Sequence, residues 1–541
     1  MKIFKQTILY FGTLGLISCT SPVVPTEVVK KSDETYSPSA VRPVLEKWQH
    51  NTFKYFYDGA SPTGMALEGN NRGDGGVVTI GGGGFGVMAL IVGSERGWIT
   101  REQSAEQVQK IVRFLGKAER FKGVWSHWYK PDGTSQPFGN QVQTGDLVET
   151  SFMMAGLLTA GEYFTGSNGV EQEIRDSVSS FWNTIDWRFY TANQQVLKWL
   201  WYSQTNQFEL NITGWNESLI TYLLALAAPE PHNISADVYK QGWQRGGSMF
   251  FPTRQNYGYN LKMGENLGGP LFFSHYSFLG LDAKKMEDND VNFWQQNTAH
   301  TLINRHYCIE EAPDSYKYDE QNWGLTACYG SKPPEYNYLA RSPLQDDGVI
   351  APTAALSSFP YTPFYSTQVL LNLNEMPLVH STYGFADSYC PSTNTSEKNH
   401  LAIDQGPIVV MIENYRSGLI WNLLMKNAHI KNALIKAGIG LPAYEPGFTR
   451  VMTNQVTKEY DMMRHPDREK FEIDYFVKKG ENVNFKLTDS DNKIIFEQNV
   501  QASSGENLFS FDDKAILKGK PYTLTMTTAD SKNHSLKVRL R

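Results

Sequence analysis

Cysteine is scarce in this chain, with four residues in 541, so a disulfide-stapled scaffold is excluded. No Cys/His spacing matches a zinc site, and the eleven histidines never fall four apart as a metal-binding helix would place them. No metal and no cofactor are therefore expected. Beyond the N-terminus no apolar run approaches 18 residues, which leaves no membrane-spanning helix to predict there. A net charge of −6 and an isoelectric point near 6.0 supply no basic footprint, so nucleic acid is not an expected partner. Glycine and proline stay near average usage, which excludes collagen-like and low-complexity chains.

Aromatic residues, by contrast, are abundant: 13 Trp, 28 Tyr and 29 Phe make 13% of the chain. Flat amphipathic rings suit ligands with alternating apolar and hydroxylated faces, above all sugars. They equally suit a large aromatic core, and composition leaves the two readings open.

The chain starts Met1-Lys2-Ile3-Phe4-Lys5, runs apolar over 7–17, and reaches Leu16-Ile17-Ser18-Cys19. A basic start and a short apolar run ending in small residues make a secretory signal, too short to span a bilayer. Its end on cysteine resembles a bacterial lipobox, so Cys19 is the expected lipidation site and 1–19 the leader. Residues 20–38, rich in Ser, Thr, Pro and Val, read as a flexible tether. The expected location is the cell envelope, with the N-terminal lipid as the sole membrane attachment. Cys308, Cys328 and Cys390 remain. Three is odd, so at least one is a buried thiol, and Cys308–Cys328 is the first pairing to test.

Helical periodicity recurs over 41–57, 85–96, 105–121, 146–164, 174–189, 217–227, 291–307, 353–359, 367–373, 407–425 and 428–437. About a dozen helices with few strand signals predict a mainly α fold. The specific expectation is an (α/α)6 toroid over 39–445, six inner helices ringed by six outer ones. Stretches 86–93, 147–158 and 219–228 are almost wholly apolar, as inner helices should be; 103–117 is amphipathic, as an outer one should be. All 13 Trp lie at or before Trp421. From 451 onward 15 basic and 14 acidic residues accompany short alternating stretches, which predicts a small C-terminal all-β sandwich over 460–541.

Four carboxylates share one context: each precedes or opens an apolar helix. Asp146 and Glu149, spaced i,i+3, stand in Gly145-Asp146-Leu147-Val148-Glu149-Thr150; Glu217 follows Trp215-Asn216; Asp404 precedes Gln405-Gly406-Pro407. Helix capping explains any one of them. In a toroid, however, inner helices of one direction bring their N-termini to one cavity mouth. Carboxylates there would converge and push their pKa values apart, as glycoside hydrolysis by an acid and a base requires.

Aromatics accompany them. Trp125, His127, Trp128 and Tyr129 lie just upstream of Asp146, while Phe273, His275, Tyr276, Trp323 and Tyr361 fall in predicted loops. With Asn216 and Gln405 these are the candidate sugar contacts. The run Gly81-Gly82-Gly83-Gly84 lacks the Gly-Lys-Ser/Thr ending of a phosphate loop, so it predicts close backbone approach to a sugar or a neighbouring helix.

Several blocks resemble the bacterial glucoamylase-like family: 81–97, 145–152, 214–219, 268–277, 347–355 and 401–418. The Asp146-Leu147-Val148-Glu149-Thr150 form is most similar to the β-1,2-glucanases of glycoside hydrolase family 144. That resemblance implies an (α/α)6 fold, no cofactor, and inverting cleavage of β-1,2-glucan to sophorose and short oligosaccharides. Its acidic residues fall by motif on Asp146, Glu149, Glu217 and Asp404. By analogy with inverting toroidal glucosidases, Glu217 is the expected acid and Asp404 the base, with Asp146 and Glu149 assisting. A monomer acting on a β-glucan is expected. A glycosidase of another β-glucan, and a non-catalytic glycan-binding protein, stay open as alternatives.

Overall fold

A computed structural model describes residues 33–70, 76–137, 143–332 and 337–541. The expected leader, Cys19 and residues 20–32 of the expected tether lie outside these residues.

The helical region runs through α1 (Pro38–Tyr57), α2 (Gly81–Glu95), α3 (Arg101–Lys117), α4 (Leu147–Tyr163), α5 (Gly169–Thr184), α6 (Leu219–Ala227) and the single turn α7 (Ala236–Val238). It continues with α8 (Phe293–His306), α9 (Pro352–Leu356), α10 (Pro363–Asn374), α11 (Ala402–Arg416), α12 (Leu419–Lys426) and α13 (Ala428–Ala437). The predicted single helix over 407–425 is two. Gly418, at φ +73°, breaks it between α11 and α12, a backbone state other residues resist. Among the described residues no helix is long and apolar enough to cross a membrane.

The apolar stretches are interior. All nine residues of α6 are buried, as are the first thirteen of α2 and the first fourteen of α4. In space α9 lies against α11, α11 against α2, α2 against α4, and α4 against α6. Outside this arc, α3 buries one stripe that includes Val108, Ile111, Val112 and Leu115, and its start is fixed by a Thr100/Gln103 capping box. Four glycines open α2 despite their poor helix propensity, because packing overrides it. A Cβ on Gly84 would meet the Phe152 carbonyl oxygen at 2.3 Å, and one on Gly156 the Gly84 carbonyl oxygen at 2.3 Å. The glycine run is thus a helix–helix contact.

Strand content in this region exceeds the expectation. Thr144–Asp146 pairs with Lys198–Tyr202, which pairs with Gln207–Asn211. The aromatic run Lys198-Trp199-Leu200-Trp201-Tyr202 is this central strand.

The C-terminal part is β-rich. One sheet orders Gly447–Phe448, Phe471–Val477 and Gly505–Phe511; the other orders Tyr460–Met462, Asn533–Leu540, Pro521–Thr527, Glu481–Thr488 and Ile494–Ala502. Strict alternation along Phe471–Val477 turns Phe471, Ile473, Tyr475 and Val477 inward, where Phe485 and Phe509 stack at 3.8 Å. Its first strand, at Gly447, lies upstream of residue 460. The three described cysteines are free and buried, so the Cys308–Cys328 bond is not formed.

Candidate active site

The N-termini of α2, α4 and α11 meet. A Cβ on Gly82 would strike Ala402 of α11 at 2.5 Å, and one on Gly81 would strike Glu149 Oε2 of α4 at 2.5 Å. The Gly81 amide uses that clearance to donate to Glu149 Oε2 at 2.6 Å. Three helix dipoles therefore point their positive ends at one place, which favours anions there.

Asp146 caps α4: its Oδ1 accepts from the Val148 and Glu149 amides at 3.1 and 3.0 Å. Its Oδ2 takes His127 Nδ1 at 2.8 Å. Burial alone would lower the His127 pKa, but the charge of Glu149 and the bond to Asp146 outweigh it and raise it to about 9. His127 is therefore an imidazolium at neutral pH. Burial pushes Glu149 up to about 7, against the opposing pull of His127.

Glu217 stands two residues before α6, in a turn held by Asn216 Oδ1 on the Ser218 amide at 2.9 Å and by the Ser277 hydroxyl on the Glu217 carbonyl. Burial first, and then the charge of Asp146, push its carboxyl up to about 7. Asp404 lies inside the first turn of α11, whose N-cap is Leu401, so it does not cap the helix. Its Oδ1 accepts from the Tyr276 hydroxyl at 3.2 Å. Burial, followed by the adjacent Asp387, holds its carboxyl well above the ordinary range.

The four predicted carboxylates are thus electrostatic neighbours. Asp146 acts on Glu149 and on Glu217, and the Tyr276 phenol feels both Asp404 and Glu217. Two further carboxylates complete the ring. Glu68, in the loop between α1 and α2, acts on His127, Glu149 and Asp404; Asp387, in the loop before α11, raises the Asp404 carboxyl. Neither precedes an apolar helix, so the signal that marked the other four was missing. Among the described residues no cluster suited to a metal ion occurs.

The aromatic candidates divide. Tyr276 reaches Asp404, half-buried Trp128 stands edge-on to His127 at 4.6 Å, and half-buried Phe273 packs edge-on to Phe272, which stacks on Tyr276. Asn216 is half-buried beside Glu217. Others are packed among their neighbours. Trp125 is wholly buried, its Nε1 donating to the Leu115 carbonyl and its ring edge-on to Phe181. Tyr129 is equally buried and donates to the Glu119 carbonyl at 2.5 Å. His275 bonds Ser358 Oγ at 3.0 Å, and burial depresses its pKa to about 3, which leaves it a neutral core residue. Trp323 belongs to the core around Phe359 and Leu325. Tyr361 bonds Asn297 and the Ser274 carbonyl and lines a cavity at the seam with the β-rich part. For these five, packing replaces the predicted sugar contact. Gln405 is buried next to Asp404, and its Oε1 takes no donor among the described residues.

Residues 209–428, a span holding Glu217, Asp387 and Asp404, match the Glycoamylase family model, described as "Putative glucoamylase". An exo β-1,2-glucooligosaccharide sophorohydrolase (non-reducing end) from Parabacteroides distasonis is 38% identical over 434 residues, covering 75% of this chain. The chain spans 59% of that relative's length. The crystal structure of an endo-β-1,2-glucanase from Chitinophaga pinensis, in complex with sophorotriose and glucose, superposes with a TM-score of 0.70 at 43% identity, covering 74% of this chain and 99% of that one. A β-1,2-glucanase from Parabacteroides distasonis superposes with a TM-score of 0.68 at 37% identity, covering 73% and 60%. The chain belongs to the bacterial glucoamylase-like family.

Proposed function

We propose that this protein is a glycoside hydrolase that cleaves β-1,2-glucan to sophorose and short oligosaccharides with inversion, as in family 144. The observation that carries the reading is Glu217: a buried carboxyl pushed up to about 7, and so still protonated near neutrality, within a ring of carboxylates. Glu217 gives its proton to the glycosidic oxygen as the C1–O bond breaks. Asp404 takes a proton from the water whose oxygen bonds to C1. Asp146 keeps His127 protonated and oriented, and Glu149, tied to the Gly81 amide, faces the substrate hydroxyls. Trp128, Phe273, Tyr276 and Asn216 are the sugar contacts in this reading, supported by their place beside the carboxylates and their neighbours.

The same reading takes the helical region as an (α/α)6 toroid, supported by the buried arc of α9, α11, α2, α4 and α6 with α3 outside it. It takes the protein as lipid-anchored at the cell envelope through Cys19, supported by the leader sequence. Replacement of Cys19 by Ser should abolish incorporation of labelled palmitate.

The test is product analysis on linear β-1,2-glucan beside starch, laminarin and cellulose. Sophorose-series products from β-1,2-glucan alone are expected. Release from another glucan only would move the specificity, and binding without hydrolysis would make this a glycan-binding protein. A ladder of sizes in time means endo action; a single dimer from the start means exo.

A further inference from the structure

The cavity at the seam between the helical region and the β-rich part takes no part in that reaction. It encloses about 240 Å³, just below the roughly 300–1,000 Å³ of drug-sized ligand pockets. Both regions wall it. Trp294 near the start of α8, Tyr361 and Tyr415 come from the helical region, and Tyr460 comes from the β-rich part. Tyr361, which packing keeps from the carboxylates, stands edge-on to Trp294 at 5.2 Å. Tyr415 lies in the last turn of α11 and Asp404 in the first, about 16 Å apart along the axis, so the cavity lies at the far end of that helix.

The charges of the lining are matched. Arg450 pairs with Asp474 at 3.1 Å, Arg468 with Glu472 at 2.7 Å, and Asp461 with Arg541 at 2.7 Å. Burial depresses His465 to about 4 and leaves it neutral. The Lys284 ammonium stands over the Trp294 and Trp421 rings at 5.0 and 5.5 Å. Among the described lining residues no group of free cations is left for a phosphate, and no group of carboxylates suits a metal. What stays unpaired is uncharged. Trp294 is 7% exposed, and its indole N–H meets no acceptor among the described residues. Nor do the half-buried Tyr415 and Tyr460 hydroxyls make a hydrogen bond there. An apolar occupant would leave these groups unsatisfied. Ring faces beside unsatisfied donors and hydroxyls fit a small ligand with apolar faces and hydroxyl groups around its edge.

We propose that the seam cavity is a second saccharide site, sized for a neutral mono- or disaccharide and separate from the catalytic carboxylates. The Trp294 indole supplies a ring face and a donor, and the Tyr415 and Tyr460 hydroxyls exchange hydrogen bonds with the hydroxyl groups of the sugar. Because both regions contribute, a bound sugar ties the β-rich part to the helical one. Only the choice of sophorose as the first probe rests on the function proposed above.

Methionines report on the two places separately. Met452 and Met463 line the cavity, whereas the Met65 and Met153 methyls flank Gly83 in the first turn of α2, beside the carboxylates. Methyl NMR of the full chain with labelled methionine is therefore the test. Sophorose should shift Met452 and Met463 saturably. The double variant Tyr415→Phe with Tyr460→Phe keeps both rings and loses both hydroxyls. Its seam methyls should need at least about tenfold more sugar for half-saturation, with the Met153 response unchanged. Seam methyls that stay still with sophorose, glucose and maltose alike would overturn the proposal, and so would an equal response in the double variant. A response to inorganic phosphate with none to the sugars would overturn it too. Met153 answers for the active site: its silence beside a saturable seam response would remove the proposed function and leave the second site standing.

Discussion

Helix α11 carries a cluster of buried charge at each end, and the two clusters are built on opposite principles. At its N-terminus Asp404 faces Asp387 and Glu68, carboxylates of one sign, and its pKa is driven up. At its C-terminus buried Arg416 bonds Asp467 at 2.9 Å, Glu46 at 2.6 Å and Gln49 at 2.8 Å, while Glu413 pairs with Arg96 at 2.6 Å. There burial opposes the charge on both partners, yet the mutual bonds hold the Arg416 pKa up and the Asp467 pKa down. Charges gathered on one helix therefore give reactive groups where they repel and a fastening where they pair. The fastening joins two regions, since Asp467 comes from the β-rich part. Arg42 on the Pro466 carbonyl and Tyr365 on Asp461 extend it along the same seam.

The contrast predicts that changes at one end alter turnover and changes at the other alter stability. The largest effect belongs to Glu217→Gln, which should cut the rate of sugar release by a factor of about 100 to 10,000 with the circular dichroism unchanged. Its pH signature follows from the sign of the shift. Glu217 ionises near 7 instead of 4.5, so activity falls as pH rises through 7. Folding stability is lost as pH rises from 4.5 to about 7, where only the unfolded state is ionised, and the Gln variant, which does not titrate, should be the more stable protein above pH 7. Loss of activity together with unfolding would break the contrast.

Arg416→Ala removes the buried partner that Asp467, Glu46 and Gln49 share and should cost about 1–3 kcal/mol in denaturant unfolding, with normal turnover by the protein that remains folded. Gly81→Ala tests both ends of the argument at once. Its Cβ would sit 2.5 Å from Glu149 Oε2, so about 1–3 kcal/mol of stability and much of the activity should go together. His127→Gln should cost about 2 kcal/mol below pH 6.5. That cost should shrink as pH rises through 9, because a raised histidine pKa stabilises only while the ring is protonated. Smallest of all is the exposed Lys478–Glu445 pair, whose deletion should change stability by less than about 0.5 kcal/mol and activity by nothing measurable.

Much of this was legible in the chain. The apolar stretches that become α2, α4 and α6, the amphipathic α3, and the alternation of Phe471–Val477 follow from periodicity, because burial on all sides, one side, or every second residue leaves a direct imprint. Asp146, Glu149, Glu217 and Asp404 were marked by charge at the head of an apolar run. Exposure carries no such local mark. Trp125 and Trp128 are three residues apart in one loop, yet one is sealed against Phe181 and the other stands over His127. Nor does any local pattern betray Asp387, which acts on Asp404 from a loop seventeen positions upstream by sequence.

The sequence alone determined the helical class, the β-rich C-terminal part and the four carboxylates at helix starts, since each depends on contacts within a few residues or on a repeating face. Only the tertiary structure decided that those carboxylates meet, that Glu68 and Asp387 join them, which rings keep a free face, and which buried charges are paired. Those properties depend on distances and desolvation between segments hundreds of positions apart, and electrostatics in a buried site is set by the whole surround, not by the neighbouring residues in the chain.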